Sequence, residues 1–176
     1  MKTIKSIFTI AILLTLIACG KTRPESKGIS KVTVAFSGYG CECGCPFQVL
    51  SVDEKLNATY YGGPFAERNG YYKGIISQEI WDSIQIRFDK FIIKGIDTAR
   101  YKKTDHSEVE FIVQDALRKH RTRFQKNTGK MIKEDLDILY WFIKIAHRAD
   151  LKPTDSLTFE TSLQFPIPPK DWKMKR

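Results

Sequence analysis

The feature that most constrains the fold is a series of short segments in which apolar and polar residues alternate, separated by breaks rich in glycine, proline or charge. In the first of them, Val32, Val34 and Phe36 point one way while Thr33 and Ala35 point the other. A period of two is typical of a β-strand with one buried face. The same pattern predicts strands over residues 31–37, 47–52, 58–61, 71–76, 108–114, 118–125 and 156–161.

Two segments have the period of a helix instead. Ser77 precedes a run in which Ile80, Ile84 and Phe88 recur at helical spacing, which predicts a helix over residues 78–90 with Ser77 as its N-cap. A second helix is predicted over residues 132–148, with acidic residues near its start and basic residues near its end. The order strand meander, helix, hairpin, helix, strand predicts an α+β fold: an antiparallel sheet with both helices packed on one face.

The beginning of the chain has a different character. Residues 1–5 are basic, residues 7–17 are apolar, and the chain is polar again from Gly20. A secretory signal has an apolar middle of about 7–15 residues, whereas a membrane-spanning helix needs about 20. The sequence Leu16-Ile17-Ala18-Cys19 resembles the lipobox of bacterial lipoproteins, which implies cleavage before Cys19 and attachment of fatty acyl chains such as palmitate to that residue. The alternatives are an ordinary cleaved signal and an uncleaved anchor.

The lipobox predicts a protein anchored in a membrane of the cell envelope and facing the periplasm. Loss of the signal peptide, residues 1–18, leaves 158 residues, which suits one domain. We expect a flexible tether over residues 19–30, the domain over residues 31–162, and a proline-rich basic tail over residues 163–176. The net charge falls from +9 to +7 when Lys2 and Lys5 are removed. A basic envelope protein could contact an anionic envelope surface or another envelope protein, and this compartment argues against nucleic acid.

Three cysteines lie within five residues, in Cys41-Glu42-Cys43-Gly44-Cys45. Because the periplasm is oxidising, we expect a disulfide. A Cys41–Cys45 bond with Cys43 free is favoured, because a bond between either neighbouring pair would close a very small ring. Two alternatives stay open. The three thiolates could bind Cu(I), or Zn(II) with a fourth ligand, or they could exchange disulfides.

The same cysteines carry a family resemblance. Residues 40–49, Gly-Cys-Glu-Cys-Gly-Cys-Pro-Phe-Gln-Val, are followed by a charged turn and by Ala-Thr-Tyr-Tyr-Gly at residues 58–62. Together they resemble the opening of the bacterial domain-of-unknown-function family number 6438. In this resemblance Cys41 and Cys45 match the two family cysteines, and Cys43 stands where the family has glycine. The match covers roughly residues 31–151 and implies a fold, not a mechanism.

The densest basic segment is residues 118–123, Arg-Lys-His-Arg-Thr-Arg. On a strand, Lys119, Arg121 and Arg123 would share one face, where they could bind phosphate or sugar-acid groups. The preceding strand, however, offers Glu108 and Glu110 as cross-strand partners. A paired, solvated sheet face is therefore the alternative to an anion site.

The sequence shows no catalytic constellation. There is no glycine loop of the kind that cradles phosphate, and Ser107, although it follows His106, lacks the strained turn that surrounds a hydrolase nucleophile. We therefore expect a non-enzymatic binding or interaction module. The alternative is a thiol-based site for metal binding or disulfide exchange at Cys41, Cys43 and Cys45.

Overall fold

The computed structural model describes residues 28–38, 45–93, 107–125 and 133–166. Their strands form one antiparallel sheet, and two helices pack on it, which confirms the predicted α+β fold. The strand order across the sheet is β6-β5-β1-β2-β3-β4-β7. The strands are β1 (Lys31–Ser37), β2 (Gln48–Asp53), β3 (Asn57–Gly62), β4 (Gly70–Ile75), β5 (Glu108–Gln114), β6 (Lys119–Gln125) and β7 (Asp150–Thr154), and the helices are α1 (Gln78–Ile93) and α2 (Lys133–Arg148).

The β2–β3 hairpin forms where the charged turn predicts it. The carboxylate of Asp53 accepts hydrogen bonds from the backbone N–H groups of Lys55 and Asn57, each at 3.0 Å. Leu56 ends the three-residue loop with a φ of 66°, the left-handed conformation that such a loop requires at its last residue. The loop therefore fixes which residues of β2 and β3 face each other.

The helices bury one face of the sheet. The N-cap prediction for α1 is confirmed, because the backbone N–H of Ile80 donates to Ser77 Oγ at 3.3 Å. The Phe88 ring of α1 lies 5.3 Å from the Phe142 ring of α2 and 6.3 Å from the Phe111 ring of β5. These three side chains are essentially inaccessible to water, and burying a side chain of this size stabilises a fold by roughly 1.5–3 kcal/mol.

The opposite face, here called the outer face, is also covered. The expectation that β1 has only one buried side is wrong: Thr33 and Ala35 are as inaccessible as Val32 and Val34. The cover comes from the end of the described chain. Leu163 is buried with Ala35, Val49 and Tyr61, and a second, smaller core results.

The predicted strand over residues 156–161 is also wrong, since these residues form no strand and β7 is the last strand in the described part of the chain. Pro153 lies in β7 opposite Tyr72 of β4. A proline is tolerated there because β7 is an edge strand, whose outward side needs no N–H donor. The following residues cross the outer face, and residues 159–166 are called the strap below. No helix of the described residues is long and apolar enough to cross a membrane.

Candidate functional site

The candidate site lies on the outer face, where the strap crosses β5 and β6. Its central residue is Glu110 of β5, whose side chain is completely buried. Glu110 is directed to this face because Val109 and Phe111, its neighbours along the strand, point into the helix-side core. A carboxylate in such a place must be hydrogen-bonded or paired to remain ionised at low cost.

The strap supplies the hydrogen bonds. Glu110 Oε2 accepts from Thr161 Oγ1 at 2.6 Å and from the backbone N–H of Ser162 at 2.8 Å. Its other oxygen, Oε1, accepts from Ser162 Oγ at 2.5 Å. Hydrogen bonds to a charged group each contribute about 1.5–3 kcal/mol to stability. The carboxylate thereby fastens the strap to the sheet.

The predicted basic residues do share the outer face of β6, and each has a carboxylate partner. Arg121 Nε lies 3.6 Å from Glu110 Oε1, and Arg123 Nη2 donates to Glu108. Lys119 Nζ contacts Glu160 of the strap at 2.5 Å. Three cations thus face three carboxylates. The cross-strand pairing with Glu108 and Glu110 is confirmed, and an external anion at these cations would have to displace an internal partner.

Two carboxyl groups near β6 are held ionised. The pKa of Glu160 lies below its ordinary value, chiefly because Lys119 donates a hydrogen bond to it. The pKa of Asp115, in the β5–β6 turn, is also lowered. Burial opposes ionisation of Asp115, but the N–H groups of Leu117 and Arg118, each at 2.7 Å from Oδ1, together with His120, outweigh it.

The apolar part of the site is aromatic. Tyr61 of β3 lies 4.8 Å from the Tyr71 ring and meets the Phe165 ring edge-on at 5.8 Å. The Tyr61 hydroxyl donates to the carbonyl oxygen of Pro166. The strap is therefore attached at both ends, by ionic contacts over β5 and β6 and by aromatic contacts over β3 and β4. Tyr61 and Tyr71 belong to the smaller core on the outer face.

The predicted cysteine site falls mostly on residues 39–44, outside the described residues, as does Cys19. Cys45 is described: it packs against the edge of the helix-side core and takes part in a disulfide bond. The pairing with Cys41 and the free thiol of Cys43 stay predictions. Within the described ranges, no group of three histidine, cysteine or acidic residues is arranged to hold a metal ion.

Sequence reasoning missed the donors on the strap, Thr161 and Ser162. A signal for them does exist. Every second residue of the strap has a buried or half-buried side chain: Phe159, Thr161, Leu163 and Phe165. The residues between them, Glu160, Ser162 and Gln164, are exposed. The predicted strand over residues 156–161 stops short of the prolines at 166, 168 and 169, although the covered side continues to Leu163 and Phe165.

No family model, no curated protein and no solved structure matches this chain. The resemblance to family number 6438 rests on the sequence motif around Cys41 and Cys45.

Proposed function

We propose that the protein is a lipid-anchored component of the cell envelope, attached to a membrane through Cys19 and facing the periplasm, and that its α+β domain is a non-enzymatic binding module. The observation that carries this proposal is the basic, apolar, Leu-Ile-Ala-Cys order of the first 19 residues. Acyl chains joined to one residue anchor a protein stably when more than one is present.

The contacts of the candidate site argue against Glu110 as a catalytic group. Glu110 is occupied by three donors of the strap, and Lys119, Arg121 and Arg123 each have a carboxylate. A general acid or base must be within reach of a substrate proton, and Glu110 is closed off from solvent. These contacts are typical of a structural element, since they attach the strap to the outer face of the sheet.

Replacement of the lipidated residue tests the anchor. Cys19→Ser should move the protein from the membrane pellet to the soluble fraction, because the variant offers no sulfur for the lipid. Cys43→Ser is the matched control, since it removes a cysteine without touching the lipobox, and it should stay in the pellet. A Cys19→Ser protein that still sediments with membranes would contradict the anchor.

The binding role predicts a partner in the envelope, either a protein or an anionic surface. Affinity purification after chemical cross-linking of intact cells should retrieve the same envelope component from independent preparations. A purified protein that has no such component, and that turns over a small molecule at a substantial rate, would reverse the assignment.

A second candidate function is a thiol-based site at Cys41, Cys43 and Cys45, which is favoured by three cysteines within five residues. Thiol counting and metal analysis of the purified protein separate the possibilities. A bound Cu or Zn ion, or a disulfide that is rapidly reduced and exchanged, would support this candidate. One unreactive disulfide without metal would end it.

A further inference from the structure

The β3–β4 connection contains an aromatic residue where the backbone favours glycine. The backbone N–H of Ala66 donates to the carbonyl oxygen of Gly63 at 3.2 Å, which closes a four-residue turn. Pro64 has a φ near −65°, and Phe65 has a φ of 62°. A negative φ followed by a positive one defines a type II turn, whose third position normally takes glycine or asparagine.

Packing does not explain Phe65. Its side chain is 71% exposed, so burial contributes little to offset the backbone strain. Leu56 is the informative comparison, because it has nearly the same φ, 66°. Leu56 packs against the helix-side core, and its carbonyl oxygen accepts a hydrogen bond from Ile76. The contribution of the Leu56 side chain to the core explains why a bulky residue is found at that position. The same explanation does not apply to Phe65.

The turn that presents Phe65 is fixed to the sheet. Phe47 donates its N–H to the carbonyl oxygen of Pro64 at 3.1 Å and accepts the N–H of Gly63 at 2.7 Å. A side chain placed in position before a partner arrives loses less conformational freedom on binding. Strained residues at exposed positions are typical of sites kept for function.

The position of this turn in the molecule points to the class of partner. The chain enters the sheet beside Lys31, which pairs with Asp53 and Gln114 at one end. The turn lies beyond Gly62, which pairs with Gly70 at the opposite end. Strands of this length span roughly 20 Å, and the nine steps from Cys19 to Gly28 reach at most ~32 Å. If Cys19 is the anchor, the tether joins the sheet at the end opposite to the Phe65 turn.

Charge favours a protein partner over lipid. Glu67, two residues after Phe65, has a side chain that is 80% exposed, and its carboxylate pairs with His147 at 3.0 Å. Arg68 follows Glu67, so residues 64–69 have no net positive charge of the kind that attracts a segment to an anionic membrane surface. In protein interfaces, by contrast, a buried aromatic residue surrounded by polar ones is typical of the centre of the binding surface.

We propose that Phe65 is an anchor residue that inserts into an apolar pocket of a periplasm-facing protein partner. This proposal rests on the proposed function at one point only, the Cys19 anchor, which places the tether at the end of the sheet opposite to the turn. Loss of the Phe65 side chain removes binding and leaves the fold intact or more stable, because glycine relieves the backbone strain. That combination separates a recognition residue from a structural one.

The first experiment compares glycine substitutions at the two positions of positive φ in the purified full-length protein. The Phe65→Gly variant should melt at the wild-type temperature or above it. The Leu56→Gly variant should melt lower, because its side chain leaves the core. A Phe65→Gly protein that melts as far below wild type as Leu56→Gly would show that Phe65 is structural and would overturn the proposal.

The second experiment places the photoreactive amino acid p-benzoylphenylalanine at position 67 in intact cells. Illumination should produce one discrete protein adduct, and adding Phe65→Gly should reduce its yield by about 30-fold or more, the loss of affinity that defines an anchor residue. Leu117→Asp is the control, since Leu117 is 82% exposed in the β5–β6 turn, and it should leave the yield unchanged.

Three results would overturn the proposal: an adduct with lipid alone, no protein adduct at position 67, or an adduct whose yield Phe65→Gly does not change. Fractionation of the same cells reports on the anchor separately. A Phe65-dependent adduct on a protein that does not sediment with membranes would refute the anchor and support the partner.

Discussion

Glu110 is the residue on which the covered outer face depends most. A buried carboxylate costs several kcal/mol to transfer from water unless donors surround it, and here Thr161, Ser162 and Arg121 do so. Sequence spacing was sufficient to predict that glutamates of β5 would face the cations of β6, because strand periodicity fixes which side chains share a face. It could not predict that a segment fifty residues later supplies the donors.

Replacing Glu110 by glutamine should lower the free energy of unfolding by about 2–4 kcal/mol. The amide is close in shape, but it carries no charge and turns an NH2 group toward the donors of the strap. Urea denaturation followed by circular dichroism measures the loss.

Glu160→Gln is the matched control. It also neutralises a glutamate that pairs with a β6 cation, but the Glu160 side chain is 40% exposed, and exposed pairs typically contribute less than about 1 kcal/mol. Equal losses in the two variants would contradict the role assigned to burial of Glu110.

At the scale of elements, the sequence predicted those structures that depend only on residues close together in the chain. The N-cap at Ser77, the hairpin after Asp53 and the long amphipathic helix each follow from a few neighbouring residues. β7 and the strap depend on partners far away in the sequence. Pro153 is compatible with a strand only because β7 is at the edge, and the strap is held by side chains and not by a ladder of backbone hydrogen bonds. Neither the edge position of β7 nor the side-chain contacts of the strap can be recognised from a short stretch of sequence.

The strap should contribute measurably to stability. Leu163 is 5% exposed, and Leu163→Ala should cost about 2–4 kcal/mol, because it leaves a cavity over Ala35 and Val49. The same urea titration measures it. Gln164→Ala, at the adjacent exposed position, should change stability by less than about 0.5 kcal/mol. If the two substitutions had the same small effect, the strap would not be packed on the sheet in solution.

The β5–β6 turn predicts a dependence on pH. The pKa of Asp115 is below its ordinary value in the folded protein, because the N–H groups of Leu117 and Arg118 donate hydrogen bonds to the carboxylate and outweigh its burial. Its contribution to stability is therefore fully present above the unfolded pKa and is lost as pH falls through the folded pKa. Asp115→Asn should retain the acceptor oxygen and show a smaller loss of stability than wild type between about pH 5 and pH 3.

Urea midpoints at several pH values in this range measure the difference. The carboxylate of Glu160 titrates in the same direction, so the comparison is best made in a Glu160→Gln background. A slope against pH that Asp115→Asn leaves unchanged would contradict the lowered pKa.

At the scale of the whole molecule, the sequence separates into a part that indicates location and a part that builds the fold. The resemblance of residues 16–19 to a lipobox is a local signal in the sequence, so it predicts an anchor without any structure. The binding role has no comparable motif. What the structure adds is a direction: the chain enters at one end of the sheet, and a strained aromatic residue lies at the other.

The most direct test of this account is the intact mass of the protein extracted from membranes of the native host. The account predicts a chain that begins at Cys19, lacks residues 1–18 and carries the mass of added acyl chains on that first residue. An unmodified chain that still begins at Met1, or one cleaved elsewhere and recovered without lipid, would contradict it.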